Sequence, residues 1–177
     1  VEVTAGATSQ VDVVSLYVDQ VGAGDLSRER AARFPQLTLY PTIGEALTLG
    51  GSDLAVDGVL LIAEHGDYPV NARGQTLWPR YEFFRQMVAV FRACGRAVPV
   101  FIDKHLSWSW DWARQIYDTS RQLGFPLMAG SSLPVTWRVP AVELPGEARV
   151  EEAMCLGVSW IDGGDFHAFE TVQVTAR

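Results

Sequence analysis

Of the 14 basic residues in the chain, all but one are arginine. The exception, Lys104, stands between Asp103 and His105 in "PVFIDKHLSW". A guanidinium stays charged at any pH a protein meets, whereas burial can lower the pKa of an ammonium far enough for proton transfer. A solitary lysine in an arginine-rich chain is therefore a candidate acid or base. Two more polar groups follow apolar runs directly. Glu64-His65-Gly66-Asp67-Tyr68 comes after "GVLLIA", and Ser131-Ser132 after "PLMAG". The remaining histidine, His167, follows the Gly163-Gly164 pair. Singly, each histidine reads more readily as a hydrogen-bonded structural residue. Their convergence at the ends of apolar runs favours a site.

The same residues suggest a second chemistry. His65, Asp67, Asp103, His105 and His167 offer nitrogen and oxygen ligands suited to zinc or manganese in a hydrolase or isomerase. Their spacing is not diagnostic of a metal. Trp108, Trp110 and Trp112 suggest packing for at least two of the three. Trp108, nearest the end of "VPVFI", is the one expected near a ligand.

These residues need elements to hold them. "VDVVSLYV" (11–18), "DGVLLIA" (57–63), "VPVFI" (98–102) and "FPLMA" (125–129) are short apolar or β-branched runs and read as strands. The last three are nearly continuous, the signature of parallel strands buried on both faces. Between them lie helical patterns over 27–34, 42–49, 77–95 and 109–124. Ser27, Thr42 and Ser109 are the expected caps, and Gly50, Gly95 and Gly124 the expected stops. Strands alternating with helices imply right-handed crossovers and an α/β fold with a parallel sheet covered on both faces. In such sheets ligands bind beyond the carboxyl ends of the strands, where the polar groups above stand. Pro134, Pro140 and Pro145 break the pattern. They suggest a Rossmann-like domain over 1–138 and the start of a second α+β domain over 139–177. "EEAMCLGVSW" (151–160) alternates like a strand of another sheet, and the segment around His167 reads as a loop entering a helix.

Composition narrows the class. The chain has 177 residues, 48% of them apolar and 20% charged, enough for a substantial core. A net charge of −7 and a pI near 4.9 argue against a nucleic-acid face. No apolar run has the length of a membrane span. Cys94 and Cys155 are far apart and read as reduced thiols, which points to a cytoplasmic setting. The expected partner is a small-molecule substrate, with neither nucleic acid nor membrane and with homo-oligomer formation open.

Gly22-Ala23-Gly24 after the first run suggests a dinucleotide loop, but Ser27 replaces the third glycine of G-x-G-x-x-G. Asp19 has another reading. An acidic residue after the second strand of a Rossmann unit bonds the cofactor ribose, and Asp19 takes that place if the first strand–helix unit is missing from the chain.

Taken in order, the segments resemble the glucose–fructose oxidoreductase / inositol dehydrogenase family of nicotinamide-dependent sugar oxidoreductases. Asp19 and "TIGEALTL" are similar to that family's acidic strand end and "eeAL" helix. "VDGVLLIAEHGDY" is similar to its "vDaVlIat" strand, "PVFIDKHLS" to "hVfvEKPls", and "PLMAGSSL" to "plmvG". "GGDFHAFE" resembles its D-x-x-x-H segment, with the aspartate position falling on Gly163. The resemblance implies a diverged oxidoreductase acting on a sugar-like or polyol hydroxyl with NAD or NADP. By position, Lys104 and His167 would handle the hydroxyl proton, aided by Asp103 and His105. Asp19, Glu64 and His65 would line the cofactor, and Asp67, Tyr68, Trp108, Ser131 and Ser132 the substrate. Two alternatives stand beside it: the metal-dependent enzyme, and a non-catalytic binding protein on an oxidoreductase fold.

Overall fold

The computed structural model describes residues 11–137, 139–141, 144–158 and 161–175. It is an α/β protein whose strands pair in parallel, as the alternation of runs predicts. By their contacts the residues form two units, Val1–Asp57 with Arg85–Val98, and Gly58–Phe84 with Pro99–Arg177. Residues 139–177 belong to the second.

In the first unit, β1 (Ser15–Tyr17) pairs with β2 (Thr38–Tyr40), Ser15 opposite Thr38 and Tyr17 opposite Tyr40. Helix α1 (Ser27–Arg33) precedes β2, and α2 (Ile43–Thr48) follows it. Thr42 caps α2 as expected, its hydroxyl accepting the Glu45 N–H at 3.1 Å. Leu49 (φ 52°) and Gly50 (φ 79°) turn the chain out through the left-handed region. The apolar core of this unit gathers Ala46, Leu47, Leu54, Val56, Met87, Val88, Phe91 and Val98.

In the second unit, β3 (Val59–Leu61), β4 (Val100–Asp103) and β5 (Leu127–Gly130) form a parallel sheet in the order β3-β4-β5. Helix α3 (Arg80–Cys94) begins in this unit, α4 (Trp110–Leu123) joins β4 to β5, and α5 (Ile161–Thr175) follows β5 after a 3-10 turn, Leu133–Val135. Gly124 (φ 71°) closes α4, as its place after a helical pattern predicts. Leu61, Val100, Ile102, Ile116, Phe84 and Phe125 are buried together in this unit's core.

Three expectations are corrected. The four runs do not share one sheet: the first pairs instead with Thr38–Tyr40, a strand too short and too close to Pro41 to register as a run. The other three are not buried on both faces. The register aligns Leu60, Phe101 and Met128 in one row, and Leu60 and Met128 are 62% and 65% exposed. Their alternation is that of a sheet packed on one face. Finally, 151–158 contain no strand. Alternation sets which side chains share a face, but a ladder also requires a neighbouring strand. Trp160 and the residue before it lie outside the described residues. Among the described residues no helix is long and apolar enough to cross a membrane.

Candidate functional site

The second unit brings the ends of β3 and β4 together, and with them four charged side chains. Register places Leu61 opposite Ile102 and Asp103 opposite Gly130, so Glu64 and Lys104 leave the sheet at the same edge. Lys104 then does something unusual for a side-chain-bearing residue: its φ is 66°, in the left-handed region. Its N–H still donates to the Gly130 carbonyl at 3.0 Å, so it closes the ladder as the side chain turns aside. The ammonium lands between two carboxylates. It donates to Asp103 Oδ2 at 2.8 Å and contacts Glu64 Oε2 directly. All three side chains are largely buried.

Arg80, the first residue of α3, completes the group from behind. Its Nη2 lies 3.9 Å from Glu64 Oε2, and its Nη1 lies 3.4 Å from His105 Nε2. It is 1% exposed. His65 sits at the rim, Nε2 3.5 Å from Glu64 Oε1, with its side chain 89% exposed. Burial alone would push the Lys104 ammonium down, but the hydrogen bonds and charges of Asp103 and Glu64 outweigh it and hold the group above the ordinary lysine value. Lys104 is thus a charged donor at neutral pH, not a poised base.

A second cluster forms where β5 ends. Ser131 is buried, and its N–H donates to Glu170 Oε2 at 2.8 Å. Its hydroxyl accepts the Leu133 N–H at 3.0 Å and meets His167 Nδ1 in hydrogen-bond contact. His167 and Glu170 lie one turn apart on α5. The Phe166 ring of the same helix stands edge-on to His105, centroids 5.8 Å apart. Glu64, His65, Asp103, Lys104 and His105 therefore form one connected group, while Ser131 and His167 form another.

The remaining candidates have other settings. Asp67 is exposed, and Tyr68 packs edge-on against Trp78 at 5.8 Å. Trp108 meets Trp112 edge-on at 4.7 Å, and Trp112 stacks on Tyr81 at 4.7 Å. The Trp108 carbonyl accepts from Gln75 Nε2 at 3.4 Å. Ser132 is exposed at the start of the 3-10 turn. Asp19, in the first unit, is exposed and accepts the Tyr17 hydroxyl at 2.7 Å. That bond, with burial and the carboxylate charge, pushes the Tyr17 phenol up to about 12.

No family model and no curated protein matches the chain. Among solved structures, an oxidoreductase from Bacillus cereus is similar at 15% identity and a TM-score of 0.47, over 71% of this chain and 29% of its own. A candidate oxidoreductase from Bacteroides fragilis is similar at 15% identity and a TM-score of 0.42, over 71% of this chain and 28% of its own. The chain spans less than a third of the length of either protein.

Two ligand classes can be tested against the side chains. Among the described residues no group of three or more His, Cys, Asp or Glu stands together as a metal site. The carboxylates at the β3 and β4 ends face Lys104 instead. For a dinucleotide, the relevant turn is Gly22-Ala23-Gly24. Asp25 folds back there: its N–H donates to the Gly22 carbonyl at 3.1 Å, and its Oδ1 accepts the Ser27 N–H at 3.0 Å and contacts the Ser27 hydroxyl. Ser27 is the first residue of α1 and not its cap: Leu26 holds the cap position, and Asp25 takes the Ser27 N–H. A carboxylate at the helix start repels a pyrophosphate and takes the N–H it would need. This turn does not fit a dinucleotide pyrophosphate.

Sequence reasoning missed Arg80 and Glu170. Nothing in the sequence separates Arg80 from the other arginines. The one signal is its place after Pro79, whose carbonyl accepts the Phe83 N–H at 2.9 Å and opens α3.

Proposed function

We propose that the chain belongs to an oxidoreductase handling the oxygen of a neutral sugar-like or polyol molecule, with Lys104 as the group that meets that oxygen. The observation that supports this reading is the Lys104 ammonium, turned out of β4 in the left-handed conformation and held between Asp103 and Glu64. An ammonium has three donors. Two point at the carboxylates, which leaves one for a ligand oxygen. Held above its ordinary value, Lys104 acts as an acid or as a fixed positive donor. It therefore suits the carbonyl side of an alcohol–carbonyl pair, where the oxygen gains negative charge and then takes a proton from Nζ.

Charge balance argues for a neutral substrate. Lys104 and Arg80 offset Glu64 and Asp103, so the group has no surplus cation for a carboxylate or a phosphate. His65 and Asp67 stand beside it on an exposed segment and suit hydroxyl recognition. A nicotinamide, when bound, would exchange the hydride. NAD or NADP is the cofactor class this reading carries. Because the Gly22–Gly24 turn does not fit the pyrophosphate, no hydride step is assigned to residues of this chain. The same misfit favours a second reading, a polyol-binding protein without turnover.

Saturation-transfer NMR with neutral polyols and ketoses, beside sugar acids, tests both. The expected result is contact with the neutral compounds that is lost in Lys104→Met. Binding unchanged by that substitution, or preference for the acids, would sink the proposal. Adding reduced nicotinamide and following its absorbance separates enzyme from binder.

A further inference from the structure

An arginine at the start of a helix is disfavoured by the helix dipole, and an arginine 1% exposed is disfavoured again by desolvation. Arg80 carries both costs, so its contacts must offset them. A guanidinium has five donors and no acceptor. In the contact between Arg80 Nη1 and His105 Nε2, 3.4 Å apart, the histidine nitrogen is therefore the acceptor. A ring accepting at Nε2 carries its proton at Nδ1. We infer that Arg80 is a positioning residue: one arm fixes His105 as the uncharged Nδ1–H tautomer, and the other holds Glu64 where it meets Lys104.

The surroundings support an uncharged ring. Lys104 precedes His105 in the chain, and Arg80 faces it from the first turn of α3. From α5 it meets the apolar ring of Phe166, with His167 beside it. Glu64 and Asp103, the carboxylates at the ends of β3 and β4, are both directed at the Lys104 ammonium. A proton added at Nε2 would point at a guanidinium that cannot accept it. His105 is thus a fixed neutral group that orients a ligand, and it does not exchange protons with one. This sharpens the proposed function, on which the ligand role rests, while the tautomer assignment stands without it.

Proton–nitrogen correlation NMR of the full chain reads the tautomer of each of its 3 histidines, and His105→Gln identifies the signal. The expected wild-type pattern at pH 7 is Nδ1 protonated and Nε2 bare. In Arg80→Gln, which withdraws the guanidinium from Nε2, the preference for the Nδ1–H form should be lost. In Arg80→Lys, which keeps a donor, the wild-type tautomer should survive at neutral pH. A His105 that is Nε2–H or doubly protonated at pH 7 in the wild type overturns the inference, as does an Arg80→Gln spectrum identical to wild type. Should Arg80→Gln fail to fold, the wild-type and Arg80→Lys spectra still decide. Loss of polyol binding in every assay, with the tautomer as expected, would remove the proposed function and leave the role of Arg80 intact.

Discussion

The ends of β1 and β4 each carry acidic residues beside a turn, and they use them in opposite ways. After β1, Asp19 binds the tyrosine two residues back and Asp25 binds the serine two residues on. Each of these contacts stays within two residues along the chain. After β4, Asp103 and Lys104 meet Glu64 from the end of β3, and Arg80 from the start of α3 joins through Glu64 and His105. Local closure makes a turn, whereas convergence of separate elements makes a place where a ligand can be held. The two ends look alike as sequence, and the difference appears only when partners far along the chain are known.

The comparison breaks first if the convergent end does no chemistry. Lys104→Met should lower turnover of a neutral polyol or ketose by ~10²–10⁴-fold, the usual range for a general acid. Lys104→Arg keeps the charge but cannot give up a proton, so it should lose nearly as much turnover while the melting temperature changes little. Near-normal turnover in the arginine variant would reduce Lys104 to an electrostatic role. The pH profile adds a check of sign. Since Lys104 lies above its ordinary value, carbonyl reduction should show no lysine limb near neutrality and should fall only on the alkaline side.

Glu64→Gln asks whether the pairing is structural as well. It removes one of two carboxylates from a mostly buried ammonium, and a loss of about 1–3 kcal/mol is expected for a buried partner left poorly satisfied. The pH dependence should move with it. A lysine raised in the folded state contributes stability that is whole below its unfolded value and is lost as pH rises through the folded one. With Glu64 neutral, the folded value falls toward the unfolded one, so that alkaline loss should be smaller and complete at lower pH. Denaturant titrations of both proteins across the alkaline range measure it, and coincident curves would show that Glu64 and Lys104 are not coupled.

How much of this the sequence displayed follows from what each signal reports. Apolar runs report burial, so β3, β4 and β5 were visible, though each strand is shorter than its run. Thr38–Tyr40 was not visible, because three residues before a proline carry no run to detect. The alternation in 151–158 was misleading, since a strand needs a partner that sequence alone does not show. At the site, Lys104 was conspicuous because its type is unique in the chain. Arg80 was not, although it is the more deeply buried of the two, because its type is the commonest base present. Its role depends on Glu64 and His105, which lie 16 and 25 positions away from it in opposite directions.

The local end of the comparison has its own optical signal. The Tyr17 phenol is pushed up to about 12 because its O–H donates to Asp19, burial adds to the shift, and the carboxylate charge opposes a phenolate. Asp19→Asn should bring the ultraviolet titration of Tyr17 back toward ~10, the ordinary phenol value. A Tyr17 midpoint unmoved by the substitution would mean that Asp19 is not closed onto its own strand, and the contrast between the two ends would weaken.

The smallest expected effect isolates the backbone at Lys104. Its φ of 66° is a conformation in which a Cβ crowds the following carbonyl, at a cost of about 1–2 kcal/mol for an ordinary residue. Glycine has no such crowding, but it loses about 0.5–1 kcal/mol through its freer unfolded chain. Lys104→Ala and Lys104→Gly both remove the ammonium and leave the same carboxylates behind. Their difference therefore reports the turn and not the ion pairs. The glycine variant should be the more stable by up to about 1.5 kcal/mol, the excess of the first term over the second. Lys104→Asn should fall between them, since asparagine enters the left-handed region more readily than alanine. Denaturant midpoints of the three variants at one pH make the test. An alanine variant as stable as the glycine one would mean that the chain leaves β4 without strain once the ammonium is gone. The left-handed turn would then be a consequence of the pull of Asp103 and Glu64 on the lysine. The reverse order of cause, a turn built into the backbone that delivers the lysine to its carboxylates, requires glycine to win.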